Sequence, residues 1–172
     1  FYKSFSDTSA LENNKKKLEA IKKAPIETIG VLFWWATNHG KYLINKPIIE
    51  RIESREILEL AMYRISTLDE DYYYGGPSRF FGMFYSRLPG VPLERARIKF
   101  DESLLDNPNY FGTRVLRARY YHTKLGNREQ FQDDLKHVIE TDPSLLPDAM
   151  PENLFEQEKA KELLNNQTIL FE

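Results

Sequence analysis

Cysteine is absent from the 172-residue chain, which excludes a disulfide framework, a thiolate nucleophile and a thiolate metal site, and leaves the redox compartment unread. Histidine is scarce: His39, His122 and His137 lie far apart. None has a second histidine at metal-ligand spacing on its own helix, so structural or surface roles are expected and no metal or cofactor is implied. No run approaches the roughly 18 consecutive apolar residues of a membrane span. Excess charge is lacking too, since a net charge of −2 and a pI near 6.0 offer no footprint for a phosphate backbone. Nucleic acid is not an expected partner. Neither Gly-x-Ser-x-Gly nor Gly-x-x-x-x-Gly-Lys occurs, which removes the usual serine-hydrolase and phosphate-loop signatures.

Period-two runs bounded by hairpin turns are also missing, whereas apolar residues recur at intervals of three and four. The fold class expected is therefore all-α. With 41% hydrophobic and 29% charged residues, one globular domain over 1–172 is expected. The capping sequence Thr8-Ser9-Ala10-Leu11-Glu12 suits a first helix that ends before Pro25. Further helices are predicted over about 27–43, 48–68, 78–88, 93–105, 110–125 and 128–141, about eight in all with a capping segment over 144–172. Pro47, Tyr72-Tyr73-Tyr74-Gly75-Gly76-Pro77, Pro89-Gly90-Val91-Pro92, Asn107-Pro108, Gly126-Asn127 and Pro143 separate them.

Internal repetition is the most informative feature. Leu68-Asp69 followed by Tyr73-Tyr74-Gly75 returns, 37 residues on, as Leu105-Asp106 followed by Tyr110-Phe111-Gly112. Two helices per unit at such a period suit a tetratricopeptide-like array, whose consensus repeat is about 34 residues. Phe81-Gly82 and Tyr85, then Ala96, Phe100, Ser103 and Pro108, occupy positions expected of one unit. Ala118 and Tyr121, then Phe131, Leu135, Val138 and Pro143, mark the next. A poorer first unit has Trp35-Ala36 and His39, then Glu59, Tyr63 and Ser66. The three pairs over 26–143 are expected to form an α-solenoid; the alternative is a helical-hairpin array without true repeats.

Aromatic residues make up 13% of the chain and cluster as Trp34-Trp35, Tyr72-Tyr73-Tyr74, Phe80-Phe81, Phe84-Tyr85 and Tyr120-Tyr121. Adjacent helix positions diverge by about 100°, so one ring of a pair can fill the interior while the other faces a binding surface. Arg79, Asn38, Lys41 and Arg117 could supply polar contacts beside these rings. Carboxylate pairs such as Asp69 and Asp71, or Asp133 and Asp134, fall at helix ends or on expected solvated faces, and acid–base catalysis is not supported. The lysines at 15–17, 22 and 23 are interleaved with Glu12 and Glu19 and read as a solvated helix face.

The run Gly75-Gly76-Pro77-Ser78-Arg79-Phe80-Phe81-Gly82, with Tyr85 and Pro89, resembles the TatT family, the tetratricopeptide-like T component of TRAP transporters. Phe33-Trp34-Trp35-Ala36 with Gly40-Lys41, Leu116-Arg117-Ala118-Arg119-Tyr120-Tyr121, and Ile169-Leu170-Phe171 extend the similarity over roughly 21–171. The resemblance implies a non-enzymatic, periplasmic accessory protein that pairs with an extracytoplasmic solute-binding protein, can oligomerise, and admits a small hydrophobic ligand through an aromatic-lined channel. Trp35, Asn38, Arg79, Phe81, Tyr85, Arg117 and Tyr121 are the residues expected to bind ligand or partner. Phe1 in place of methionine fits a processed chain, with any lipid-bearing cysteine in a preceding segment. A general tetratricopeptide scaffold gripping a peptide is the competing reading.

Overall fold

A computed structural model describes residues 14–172. The start expected around Thr8 to Glu12 lies outside these. Every regular element among the described residues is helical. They fall into two compact units, divided between Tyr72 and Tyr73.

The first unit contains α1 (Asn14–Lys22), a 3₁₀ turn (Ile26–Thr28), α2 (Ile29–Leu43), α3 (Ile48–Glu53) and α4 (Arg55–Leu68). Ile21 and Ala24, with Leu32, Phe33, Ala36 and Leu43 of α2, and Leu58, Ala61, Met62 and Ile65 of α4, form its buried apolar set. Their spacing of three and four is the amphipathic helix signature. The Arg64 guanidinium donates through Nε and Nη2 to the Ala24 carbonyl at 2.9 and 2.8 Å, tying α4 to the end of α1. Two expectations need correction here. The helix predicted over 48–68 is broken at Ser54, which has φ −82° and ψ −5°. The buried face of α4 runs through Leu58, Met62 and Ile65 and not through Glu59, Tyr63 and Ser66. Tyr63 is 49% exposed and Glu59 pairs with Arg55 on the flank.

The second unit begins within α5 (Tyr72–Arg87) and continues through α6 (Leu93–Asp106) to α7 (Phe111–Leu116). From α7 the chain winds on through a π-helical segment (Arg117–His122) and a last turn, α8 (Thr123–Leu125). Then come α9 (Arg128–Glu140), two 3₁₀ turns (Pro143–Leu145 and Pro147–Ala149), α10 (Met150–Asn165) and α11 (Gln167–Leu170). The core of α7 to α10 comprises Phe111, Val115, Ala118, Phe131, Leu135, Val138 and Ala160, with Leu163, Leu164 and Phe171 packed against it. These include Ala118, Phe131, Leu135 and Val138 of the positions singled out for the last repeat, but not Tyr121 or Pro143.

Each residue from Arg79 to Ser86 is buried, which accounts for the ring density of this stretch: a helix with no solvated face must be apolar all round. Gly82 has a steric reason to be there. A Cβ at that position would lie 2.7 Å from the ring of Phe100, itself fully buried on α6. Gly82→Val is therefore expected to overpack this contact and lower the unfolding free energy by about 2 kcal/mol in urea titration; stability equal to wild type would show that α5 and α6 can part without loss.

Candidate functional site

At the start of α5 the backbone leaves the right-handed region. Tyr73, Tyr74 and Gly75 have φ of 52°, 57° and 68°, with ψ of 53°, 58° and 29°. Glycine suits this geometry; two consecutive tyrosines do not, and each left-handed non-glycine residue costs roughly 1–2 kcal/mol. Gly75 is doubly constrained, since a Cβ would lie 2.8 Å from Ser103 Oγ.

Arg79, one turn further on and only 6% exposed, holds the turn in place. Its Nη1 donates to the Tyr74 carbonyl at 2.7 Å and its Nη2 to the Tyr73 carbonyl at 3.0 Å. The guanidinium also lies 4.3 Å from the centroid of the Tyr110 ring, which stacks on Tyr74 at 5.2 Å and meets Tyr73 edge-on at 5.8 Å. Tyr73 donates its hydroxyl to Glu152 at 3.1 Å, and burial followed by the neighbouring Tyr110 and Glu152 pushes its pKa up. Burial likewise raises that of Tyr110. Next to this cage, buried Asn153 accepts from the Phe111 N–H at 3.0 Å and donates to the Asn109 carbonyl at 2.9 Å. The beginnings of α5, α7 and α10 are thus joined.

Phe81 and Tyr85 stack at 5.4 Å and are almost wholly buried. Arg95 covers the Tyr85 ring at 4.3 Å and donates to its hydroxyl at 3.2 Å. Tyr121 is 7% exposed and leans on Phe100 and His122. Burial raises its pKa. Arg117 opens the π-helical segment and reaches Asp134 through Nε at 2.7 Å and Nη2 at 2.6 Å, and Asp101 through Nη1 at 3.1 Å. Arg114 donates to the same Asp134 at 2.9 Å, and His122 Nε2 lies 3.2 Å from it. With two donors on each oxygen, Asp134 has no free lone pair with which to act as a base. Irregular π-helical turns often accompany functional sites; here the turn places Arg117 and His122 on one carboxylate.

In the first unit, half-buried Trp35 stacks on His39 at 5.5 Å, and His39 on exposed Tyr42 at 6.2 Å. Lys46 sits 4.5 Å over the Tyr42 ring. Asn38 is exposed beside this row. Burial, then the charge of Lys17, lowers the pKa of His39. Trp35 and Asn38 therefore share a surface-reaching face in their own unit, while Arg79, Phe81, Tyr85, Arg117 and Tyr121 are buried or half-buried in theirs.

Sequence reasoning missed Tyr73, Tyr74, Tyr110, His122, Asp134 and Asn153. The expectation that Asp134 sits on a solvated face is corrected, because it is 3% exposed. Its signal was available: it falls three residues after Phe131 and four before Val138, inside the apolar stripe of α9. Among the described residues no group of histidines and carboxylates is arranged to hold a metal ion, and no helix is long and apolar enough to cross a membrane.

Asp134 sets a pH dependence. Burial favours its neutral form, but hydrogen bonds from Arg117 and His122 and the Arg117 charge outweigh this and hold its pKa to about 2. Its folded value lies below the ordinary aspartate value, so its stabilisation is complete above about pH 4 and is lost as the pH falls towards 2, amounting to about 2 kcal/mol. Asp134→Asn is expected to weaken the fold at pH 7 and to remove this part of the decline between pH 4 and 2, measured by urea unfolding across that range. An unchanged acid limb would contradict the assignment.

In comparison with known proteins, the family model described as TRAP transporter T-component matches residues 2–171. No curated protein matches the chain.

Proposed function

The chain belongs to the TRAP transporter T-component family, and we propose that it acts in the periplasm as a non-enzymatic docking component that engages the solute-binding protein of its transport system and receives a small organic ligand. The family match over nearly the whole chain carries this reading. A solenoid of helix pairs would provide the docking surface. The burial pattern divides the proposed residues by role. Trp35 and Asn38, on a face that reaches the surface of the first unit, are assigned to direct contact with ligand or partner. Tyr85 and Tyr121, at matching positions of successive repeats, are assigned to the wall of the ligand passage together with Phe81. Arg79 and Arg117 hold the backbone and the neighbouring helix that shape it.

The experiment is co-purification with the solute-binding protein of its transport system, followed by mass spectrometry of retained small molecules. A complex that survives gel filtration and carries an organic ligand is the expected result. Recovery of neither partner nor ligand would overturn the reading, and capture of a protein unrelated to transport would favour a general peptide-gripping scaffold.

A further inference from the structure

Acidic residues are unevenly distributed in the second unit. Residues 73–93 and 107–128 contain no aspartate or glutamate but seven lysines and arginines. Several of these cations are used internally. Arg79 is turned onto two carbonyls, Arg114 and Arg117 share Asp134 while Arg117 also pairs with Asp101, and Arg128 covers the Phe171 ring. Arg87, Arg119 and Lys124 lie around one tyrosine. The Tyr120 ring has Arg87 at 5.1 Å and Arg119 at 5.4 Å from its centroid. Lys124, one turn after Tyr120, donates at 2.7 Å to the Ser86 carbonyl beside Arg87.

Arg119 and Lys124 are exposed, and neither meets a carboxylate at ion-pair distance among the described residues. Lys124 has a local role, because a cation on a carbonyl of the last turn of α5 complements the helix dipole. No such role accounts for Arg119. Its guanidinium is backed by an aromatic face, which leaves its fork pre-organised to take a carboxylate in bidentate geometry. In a chain of net charge −2, a cationic ridge backed by acid-free sequence is a local reversal of sign, and such a reversal sets the register of an encounter.

We propose that the ridge of Arg87, Arg119, Tyr120 and Lys124 docks an acidic, solvent-exposed segment of a partner protein, with at least two carboxylates taken by Arg119 and Lys124. The identity of that partner as the solute-binding protein rests on the function proposed above; the chemistry of the ridge does not.

Two probes separate these statements: a fluorescein-labelled deca-glutamate peptide and the purified solute-binding protein of the same transport system. Both are titrated against wild type, Arg119→Glu/Lys124→Glu, the milder Arg119→Gln/Lys124→Gln, and Lys136→Glu/Lys161→Glu, which makes the same charge change elsewhere in the unit. Circular dichroism verifies that each variant is folded. Charge reversal is expected to weaken both probes by about tenfold or more, neutralisation less, and the distant pair little, with wild-type binding weakening as salt rises from about 50 to 300 mM.

Equal peptide affinity for wild type and the reversed variant would overturn the ridge as an acidic site. Undiminished binding of the solute-binding protein to that variant would overturn it as the docking surface. Peptide discrimination without any binding of the solute-binding protein would support the ridge and reject the docking reading. Displacement of the peptide by equimolar succinate would assign the site to a small anion and overturn the proposal.

Discussion

Two hydrogen bonds from one buried guanidinium hold a turn that the chain would otherwise avoid. Tyr73 and Tyr74 adopt left-handed backbone conformations that together cost roughly 2–4 kcal/mol. Hydrogen bonds to a charged donor contribute roughly 1.5–3 kcal/mol each, so the pair from Arg79 can offset that strain. The bend directs the rest of the helix. It aims the tyrosine rings at Tyr110, brings Gly75 against Ser103, and starts the right-handed part of α5 on a path where Gly82 can meet the Phe100 ring. Arginine is suited to this position because its planar fork addresses two carbonyls at once, while its face packs on an aromatic ring.

A second arrangement, centred on a buried carboxylate, ties α6, α7 and α9 of the same unit together. Asp134 gathers Arg114, Arg117 and His122, and Arg117 extends the connection to Asp101 on α6. Buried ion pairs of this kind are weak contributors to stability against an apolar replacement, but breaking one leaves charge stranded in the interior. Their value here is positional: the cations turned inward leave a small, distinct group at the surface, centred on Arg119 and Lys124. One acid-free stretch of sequence thus serves both the interior and the surface. That division gives the surface a local sign that the net charge of −2 conceals.

Much of the helical pattern was legible in the sequence because periodicity, proline and glycine report local geometry directly. Pro89 to Pro92 separates α5 from α6 as expected, and Ala96, Phe100 and Ser103 form the inward face of α6. Gly82 was readable as a point of close approach. The break at Ser54 was not, since a lone serine is a weak boundary signal, here making no side-chain cap hydrogen bond, and the outcome depends on tertiary packing. The left-handed turn was seen only as a breaker. Its handedness depends on Arg79, which one-dimensional reading assigned to a ligand. Asp134 was misplaced because a carboxylate was taken as a solvent marker, although the stripe around it was apolar; a buried acid is identified by its partners, and Arg114, Arg117 and His122 reach it only in the folded chain.

Above all, the second unit relies on the fork of Arg79, and not merely its charge, to maintain the turn at Tyr73 and Tyr74. The direct measurement is the urea unfolding free energy of Arg79→Lys, which preserves the cation and the aliphatic stem but cannot span both carbonyls in the same way. The expected result is a loss of about 2 kcal/mol, with faster amide exchange over residues 73–80. A variant as stable as wild type, with unchanged exchange there, would contradict it.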